Sequence, residues 1–234
     1  MAVFLTAEWR NLINLTYAVP SALLTPYLPQ GLAVDTGWNG EAHVSFVAFE
    51  FLNTRLKGVR VPFHVNFPEV NLRFYVRHRG EVGVVFIREL VPRFCIAAIA
   101  RRVYNEPYRA VPMAVETSLG QQGLQVTHRF TVGGRSHQVV ATGTGALYTP
   151  PPESVAHYFK EHTWGYGRAH GGHTLCYQVD HPVWRAYPTV DYSLSLDFGV
   201  LYGPQWEFLN RATPIAALLA EGSPVAVHGA QRLG

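Results

Sequence analysis

The chain has 234 residues, 48% hydrophobic and 15% charged, with a formal net charge of +3. No stretch of 18 apolar, uncharged residues occurs, which excludes a membrane-spanning helix. Thirty aromatic side chains (5 Trp, 12 Tyr, 13 Phe) with so little charge exclude a disordered chain. Two cysteines, Cys95 and Cys176, exclude a disulfide scaffold and fit a reducing, cytoplasmic setting. The start, MAVFLTAEWRNLINL, has no basic head or unbroken apolar run, so no signal peptide is expected. The positive excess is mild and the arginines form no stripe, so neither nucleic acid nor membrane is expected as a partner; homo-oligomerisation is left open. There are 17 arginines and only two lysines, Lys57 and Lys160, so chemistry that needs a side-chain amine has two candidates.

Short strand-like runs separated by turn residues dominate. Strands are predicted over Gly31–Asp35, Glu41–Asn53, Val65–His78, Val82–Leu90, Val111–Ser118, Leu124–Val132, Ser136–Tyr148, His173–Val179, Val190–Val200 and Val225–His228. Thr36–Gly40, Arg79-Gly80-Glu81, Gly120–Gly123 and Gly133-Gly134-Arg135 are the turns between neighbouring runs. Four helices are predicted. The first covers Ser21–Leu28. The second opens near Pro92 and repeats Ile96, Ile99, Ala100 and Val103 on one face. The third begins at Pro151-Pro152-Glu153 and aligns Val155, Tyr158 and Phe159. The fourth runs from Thr213-Pro214 to Glu221 and stops at Gly222. The hairpin spacing argues for an antiparallel, β-rich α+β domain spanning 1–234.

The most informative segment is FPEVNLRFYVR, residues 67–77. Read with period two, Val70, Leu72, Phe74 and Val76 share one face, and Glu69, Asn71, Arg73, Tyr75 and Arg77 the other. A two-residue loop at Gly80-Glu81 places Arg73 opposite Arg88, a repulsive pair. A three-residue loop places Asn71 opposite Glu89 with Arg73 diagonal to it, and is preferred, although it leaves Arg88 at the end of the apolar face. The resulting ladder of Glu69, Asn71, Arg73 and Glu89 is either a solvated sheet face or the wall of a cavity. In a cavity it would bind a small polar ligand, and a buried carboxylate there would have a raised pKa suited to proton transfer.

Two further groups carry potential chemistry. ARRVYNEPYR, residues 100–109, reads as a helix exit and turn at a sheet rim, with Glu106, Tyr108 and Arg109 as candidates for a cavity mouth. A histidine cluster, His157, His162, His170, His173, Cys176 and His181, contains His170-Gly171-Gly172-His173-Thr174-Leu175-Cys176, whose spacings are compatible with zinc, but it lacks a second tight ligand pair, and a loop entering a strand is the preferred reading. No metal or cofactor is therefore expected. No nucleophile elbow, P-loop or dinucleotide fingerprint is present.

The segments WRNL, LPQGL, VSFVAF, FPEVNLRFYV, GVVFIRELVP and ARRVYNEPY, followed by HPVW at 181–184, run over most of the chain in order. They resemble the YqjF-like family of uncharacterised bacterial proteins, which is related in fold to acetoacetate decarboxylase. The resemblance implies an antiparallel sheet rolled into a cone or barrel around a central cavity, with a few outer helices. It also implies a test of the catalytic apparatus. Decarboxylases of that type attack a β-keto acid with a lysine whose pKa is lowered by desolvation and neighbouring cations. Here Arg101 and Pro107 match the motif's arginine and proline, while Tyr108 and Arg109 stand where its two lysines would be. Phe67-Pro68-Glu69 resembles the motif's aromatic-x-Glu strand, and Ala18 follows Tyr17 where an arginine would be. Both lysines read as solvent-exposed, Lys57 in an exposed turn over Thr54–Gly58, so neither replaces the missing amine.

These readings converge on a protein that binds a small carboxylate or carbonyl compound without a Schiff-base lysine. Glu69, Asn71, Arg73, Glu89, Arg101 and Tyr108 are the expected ligand-binding residues, and Glu69 and Glu106 the candidates for catalysis. One alternative is a lysine-independent acid/base enzyme (lyase, hydratase or tautomerase) acting on a keto or enol substrate. Another is a ligand-free structural or partner-binding protein with a packed interior.

Overall fold

A computed structural model describes residues 2–94, 105 and 107–234. Fourteen strands carry it: β1 (Val3–Val19), β2 (Ala33–Val34), β3 (Ala42–Leu56), β4 (Phe67–His78), β5 (Glu81–Val91), β6 (Tyr108–Ala110), β7 (Met113–Gly120), β8 (Gly123–Val132), β9 (Arg135–Thr144), β10 (Trp164–Arg168), β11 (Thr174–Asp180), β12 (Thr189–Ser195), β13 (Ala216–His228) and β14 (Gln231–Arg232). Wholly within the described residues, two short α-helices accompany them, α1 (Val155–Lys160) and α2 (Phe198–Tyr202). In the larger sheet the neighbours run β4-β3-β1-β13-β11-β10-β5, and β5 pairs back onto β4, closing a ring of seven strands. Most pairs are antiparallel; β10 and β6 each lie parallel to β5. A second sheet, β12-β9-β8-β7, is wholly antiparallel.

The two faces of the ring separate by period two. Val44, Phe46 and Ala48 of β3 and Val70, Leu72, Phe74 and Val76 of β4 turn outward, where Val126, Phe130, Val139 and Ala141 of the second sheet and Phe198, Leu201 and Trp206 bury them. Val47, Phe49, Phe51 and Phe67 turn inward and pack with Tyr177, Val179, Val225 and Val227 across the barrel. Closure leaves these strands no free edge, and each contributes side chains to a core on both sides.

Inward-facing positions change parity along some strands. On β1 they pass from Ala7 and Trp9 to Leu12, at a register irregularity where Asn11 takes a positive φ of 56°. On β13 they pass from Leu218 and Ala220 to Val225 and Val227 across Gly222, whose φ is 79° and whose missing Cβ would stand 2.0 Å from the Trp9 carbonyl oxygen. Only glycine fits that conformation and that contact.

Several sequence expectations need correction. The predicted helix 213–221 is the first half of β13. Its Ala- and Leu-rich stretch favours a helix locally, but Leu218 faces the lumen and Leu219 the outer core, so burial on both faces selects a strand. Gly222 is a kink inside that strand and not a helix stop, and Val225–His228 is its end. The predicted strand 190–200 stops at Ser195, because the Asp197 side chain accepts from the Val200 amide and caps α2. Ser21–Leu28 forms two 3-10 turns. β1, β6, β10 and β14 have no counterpart among the predicted strands. The helix predicted after Pro92 falls mostly on residues 95–104, outside the described residues, as do Cys95, Arg101 and Glu106. Among the described residues no helix is long and apolar enough to cross a membrane.

Candidate functional site

The inner face of β4 carries polar groups into the barrel. Glu69 and Asn71 are only 2% exposed, and Asn71 stands opposite Glu89, itself 1% exposed. That pairing was expected; its cause is different. The β4–β5 turn is a two-residue loop, Arg79 (φ 49°) and Gly80 (φ 93°), with His78 opposite Glu81. The offset comes from a bulge further along: Leu72 faces Arg88 while Arg73 faces Phe86, leaving Ile87 as the extra residue. The bulge switches the parity of β5. Val84 and Phe86 face the lumen before it and Glu89 after it, while Arg88 turns outward and donates to the Leu201 carbonyl.

A pocket of about 160 Å³ opens against this wall. Glu69, Asn71, Arg73, Glu89, Tyr108 and His162 line it on the polar side, and Trp9, Phe49, Phe51 and Phe67 are among the rings lining the rest. Asn71 Nδ2 donates to Glu69 Oε1 at 3.0 Å, and the Tyr108 hydroxyl to Glu69 Oε2 at 3.1 Å. Burial pushes Glu69 up to about 7. Hydrogen bonds from Asn71 and Tyr108, contact with Glu89 and the Arg73 charge pull the other way. Glu69 is thus a carboxyl that can hold or release a proton near neutrality.

One end of the lumen is plugged by α1. Ser154 caps it, accepting from the His157 amide at 3.2 Å. The Phe159 carbonyl receives three donors: Asn14 Nδ2 at 3.1 Å, Arg73 Nη2 at 3.2 Å and the Tyr75 hydroxyl at 3.2 Å. This fixes Arg73 between plug and pocket. Its Nε is buried without a hydrogen-bond partner among the described residues, and the same holds for Asn71 Oδ1 and His162 Nε2. Burial, together with the Arg73 charge, lowers His162 to about 3, so the ring is neutral. A ring nitrogen bonds the Tyr158 carbonyl, which leaves Nε2 as an acceptor. Buried polar atoms rarely lack partners, and three lie along this wall of the pocket; Trp9 Nε1 and Thr54 Oγ1, likewise without partners among the described residues, belong to side chains lining the same pocket.

The other candidates distribute as follows. The Tyr108 hydroxyl reaches Glu69 Oε2. Lys57 is exposed as expected. Lys160 is not: it is 2% exposed, paired with Glu161, and burial lowers its pKa. Neither lysine is among the residues that line the pocket. Cys176 is buried in the outer core, while His170 lies exposed on the loop that closes through the Ala169 amide and the His173 carbonyl; among the described residues no three His, Cys, Asp or Glu side chains gather. Sequence reasoning missed Trp9, Thr54 and His162 as pocket residues. Thr54 reads as part of an exposed turn, yet it is 5% exposed and lines the pocket. His162 follows a helix without periodic pattern, so only the plugged barrel reveals its place.

The closed ring and polar lumen wall define a barrel of the acetoacetate decarboxylase-like class. The acetoacetate decarboxylase of Legionella pneumophila superposes with a TM-score of 0.70 at 14% identity, covering 100% of this chain and 88% of that one. An acetoacetate decarboxylase-like enzyme of Sphingomonas wittichii RW1 gives 0.68 at 14% identity, covering 100% and 94%. The enduracididine biosynthesis enzyme MppR, complexed with pyruvate, gives 0.68 at 12% identity, covering 100% and 92%. At these identities the likeness is one of fold. The chain belongs to the DUF2071 family of uncharacterized conserved proteins, whose model matches residues 6–224. It is also 30% identical over 109 residues to the uncharacterized protein YqjF of Bacillus subtilis (strain 168), a match spanning 46% of this chain and 45% of that protein.

Proposed function

We propose that the chain binds a small carboxylate or carbonyl compound in the barrel pocket. One observation carries this reading: Arg73 Nε, Asn71 Oδ1 and His162 Nε2 are buried, without partners among the described residues, and border the same open volume. Leaving such groups unmade costs roughly 1–3 kcal/mol each; a bound carboxylate or carbonyl removes that cost at the Arg73 Nε donor, while Asn71 Oδ1 and His162 Nε2 are acceptors and call for a hydroxyl on the ligand or a water beside it. Arg73 is the anion partner and Glu69 and Glu89 the polar wall, with the Tyr108 hydroxyl where a Schiff-base amine would otherwise stand. The pyruvate complex of MppR, on the same fold, supports an acid of this size as a starting point. A pocket of about 160 Å³ weighs against a ligand-free, packed interior.

A second reading has its own support. Glu69 lies on the pocket wall and is raised to about 7. Such a carboxylate can take a proton from carbon beside a ketone and return it to the oxygen, converting keto to enol form with no amine and no cofactor.

A thermal-shift screen against small keto acids, hydroxy acids and dicarboxylates tests both, with Arg73→Ala and Glu69→Gln in parallel. Stabilisation of the wild type that Arg73→Ala abolishes is the expected result. An equal shift in wild type and Arg73→Ala overturns the anion site. Solvent-deuterium exchange at the carbon beside the bound acid's ketone, lost in Glu69→Gln, distinguishes enzyme from binder.

A further inference from the structure

The pocket is graded along the barrel axis. Ser45 pairs with Arg73, Val47 with Asn71, Phe49 with Glu69 and Phe51 with Phe67, in order away from the α1 plug. Arg73 to Phe67 is six residues, or about 20 Å of strand. The polar groups cluster at the plug end. Beyond Glu69 the lining changes to stacked rings: Phe51 and Phe67 at 4.7 Å, with the Trp9 ring 5.6 Å from Phe51. Past them the pocket reaches Leu56 and Val61, at the loop between β3 and β4, where Val59 is 65% and Phe63 84% exposed.

We propose that the ligand is an acid with an apolar tail of about ring size, an aryl or branched-alkyl acid, bound head inward with its tail against the stacked Phe51 and Phe67 rings and directed towards Val61. This deepens the proposed function and rests on its placement of the head group at Arg73. Three observations support it. The site is amphipathic end to end, so a two- or three-carbon acid satisfies the head and leaves the ring-lined half to water. An apolar cavity of about 150 Å³ is known to hold a benzene ring, which sets the scale for the tail. The tail end meets Leu56 and Val61, and no carboxylate lines the pocket there among the described residues; the polar side chains on that stretch of the lining are Thr54 and His64, so a longer tail meets no negative charge.

The test is a calorimetric series with one head and a growing tail: pyruvate, 2-oxobutanoate, 4-methyl-2-oxopentanoate and phenylpyruvate. Each buried methylene is worth about fourfold in affinity. The branched acid is therefore expected at least about tenfold tighter than pyruvate, with phenylpyruvate at least as tight. Val61→Arg, on the loop and half-buried, is the second arm; it is expected to remove the advantage of the longer acids and leave pyruvate unchanged. Equal affinity for all four acids, with binding still lost in Arg73→Ala, overturns the tail and leaves the head reading standing. Absence of binding by every acid, or binding indifferent to Arg73→Ala, overturns the head reading and the inference together.

Discussion

Around Glu69 and Asn71 the two faces of β4 are equally buried and chemically opposite. Outward, Val70, Leu72, Phe74 and Val76 are fully enclosed between barrel and second sheet. Inward, Glu69 and Asn71 are as inaccessible, yet they bring a carboxyl and an amide into an interior where each needs a partner. The outer face contributes stability through apolar burial. The inner face holds polar groups against their desolvation, leaves some bonds unmade and borders a pocket. One strand thus separates what holds the barrel together from what the barrel contains.

Substitutions on the two faces should separate accordingly. The largest loss is expected on the outer face: Leu72→Ala removes about 2–5 kcal/mol of unfolding free energy in urea titrations, with the affinity for acids retained. Equal damage to binding would break the comparison.

Next comes the pH dependence of the inner face. Glu69 binds its proton more tightly folded, at about 7, than unfolded, at 4.5. The folded state therefore holds more protons between those values, and stability falls as pH rises through that window, by up to about 3 kcal/mol. Glu69→Gln should abolish this decline and leave the variant relatively more stable at pH 8 than at pH 4.5, as read from urea midpoints at both.

Smaller still is Tyr108→Phe, which removes one hydrogen bond to Glu69 and about 1 kcal/mol. That bond favours the charged carboxylate, so its loss should move the Glu69 midpoint further up, measurable in the pH profile of stability. The smallest effect on stability is expected for Asn71→Leu. It loses the bond to Glu69 and also removes an unsatisfied amide oxygen, for a net change under about 1 kcal/mol, while binding of acids should be lost.

The same strand shows how much was legible. Its strict alternation was visible in the sequence, and so was the pairing of Asn71 with Glu89, because polar residues at period two on facing strands have few sensible registers. The Ile87 bulge was not visible: an extra residue inside an apolar run leaves no signal, so the offset was assigned to the turn. β1 was missed for a related reason, since the parity change at Asn11 breaks its alternation. β13 was read as a helix because local propensity and Gly222 agreed on one, and burial on both faces overruled them. The resemblance supplied barrel closure, which no local pattern encodes. Lys160 and Thr54 looked exposed because exposure is the usual state of Lys and Thr; their burial depends on neighbours far away in sequence.

The most direct measurement is a ¹³C NMR titration of the Glu69 side-chain carboxyl, assigned by comparison with Glu69→Gln, with and without phenylpyruvate. The account predicts a midpoint near 7 in the free protein and a clear displacement of that resonance when the acid binds. A Glu69 midpoint near 4.5 that the acid leaves unchanged would contradict it.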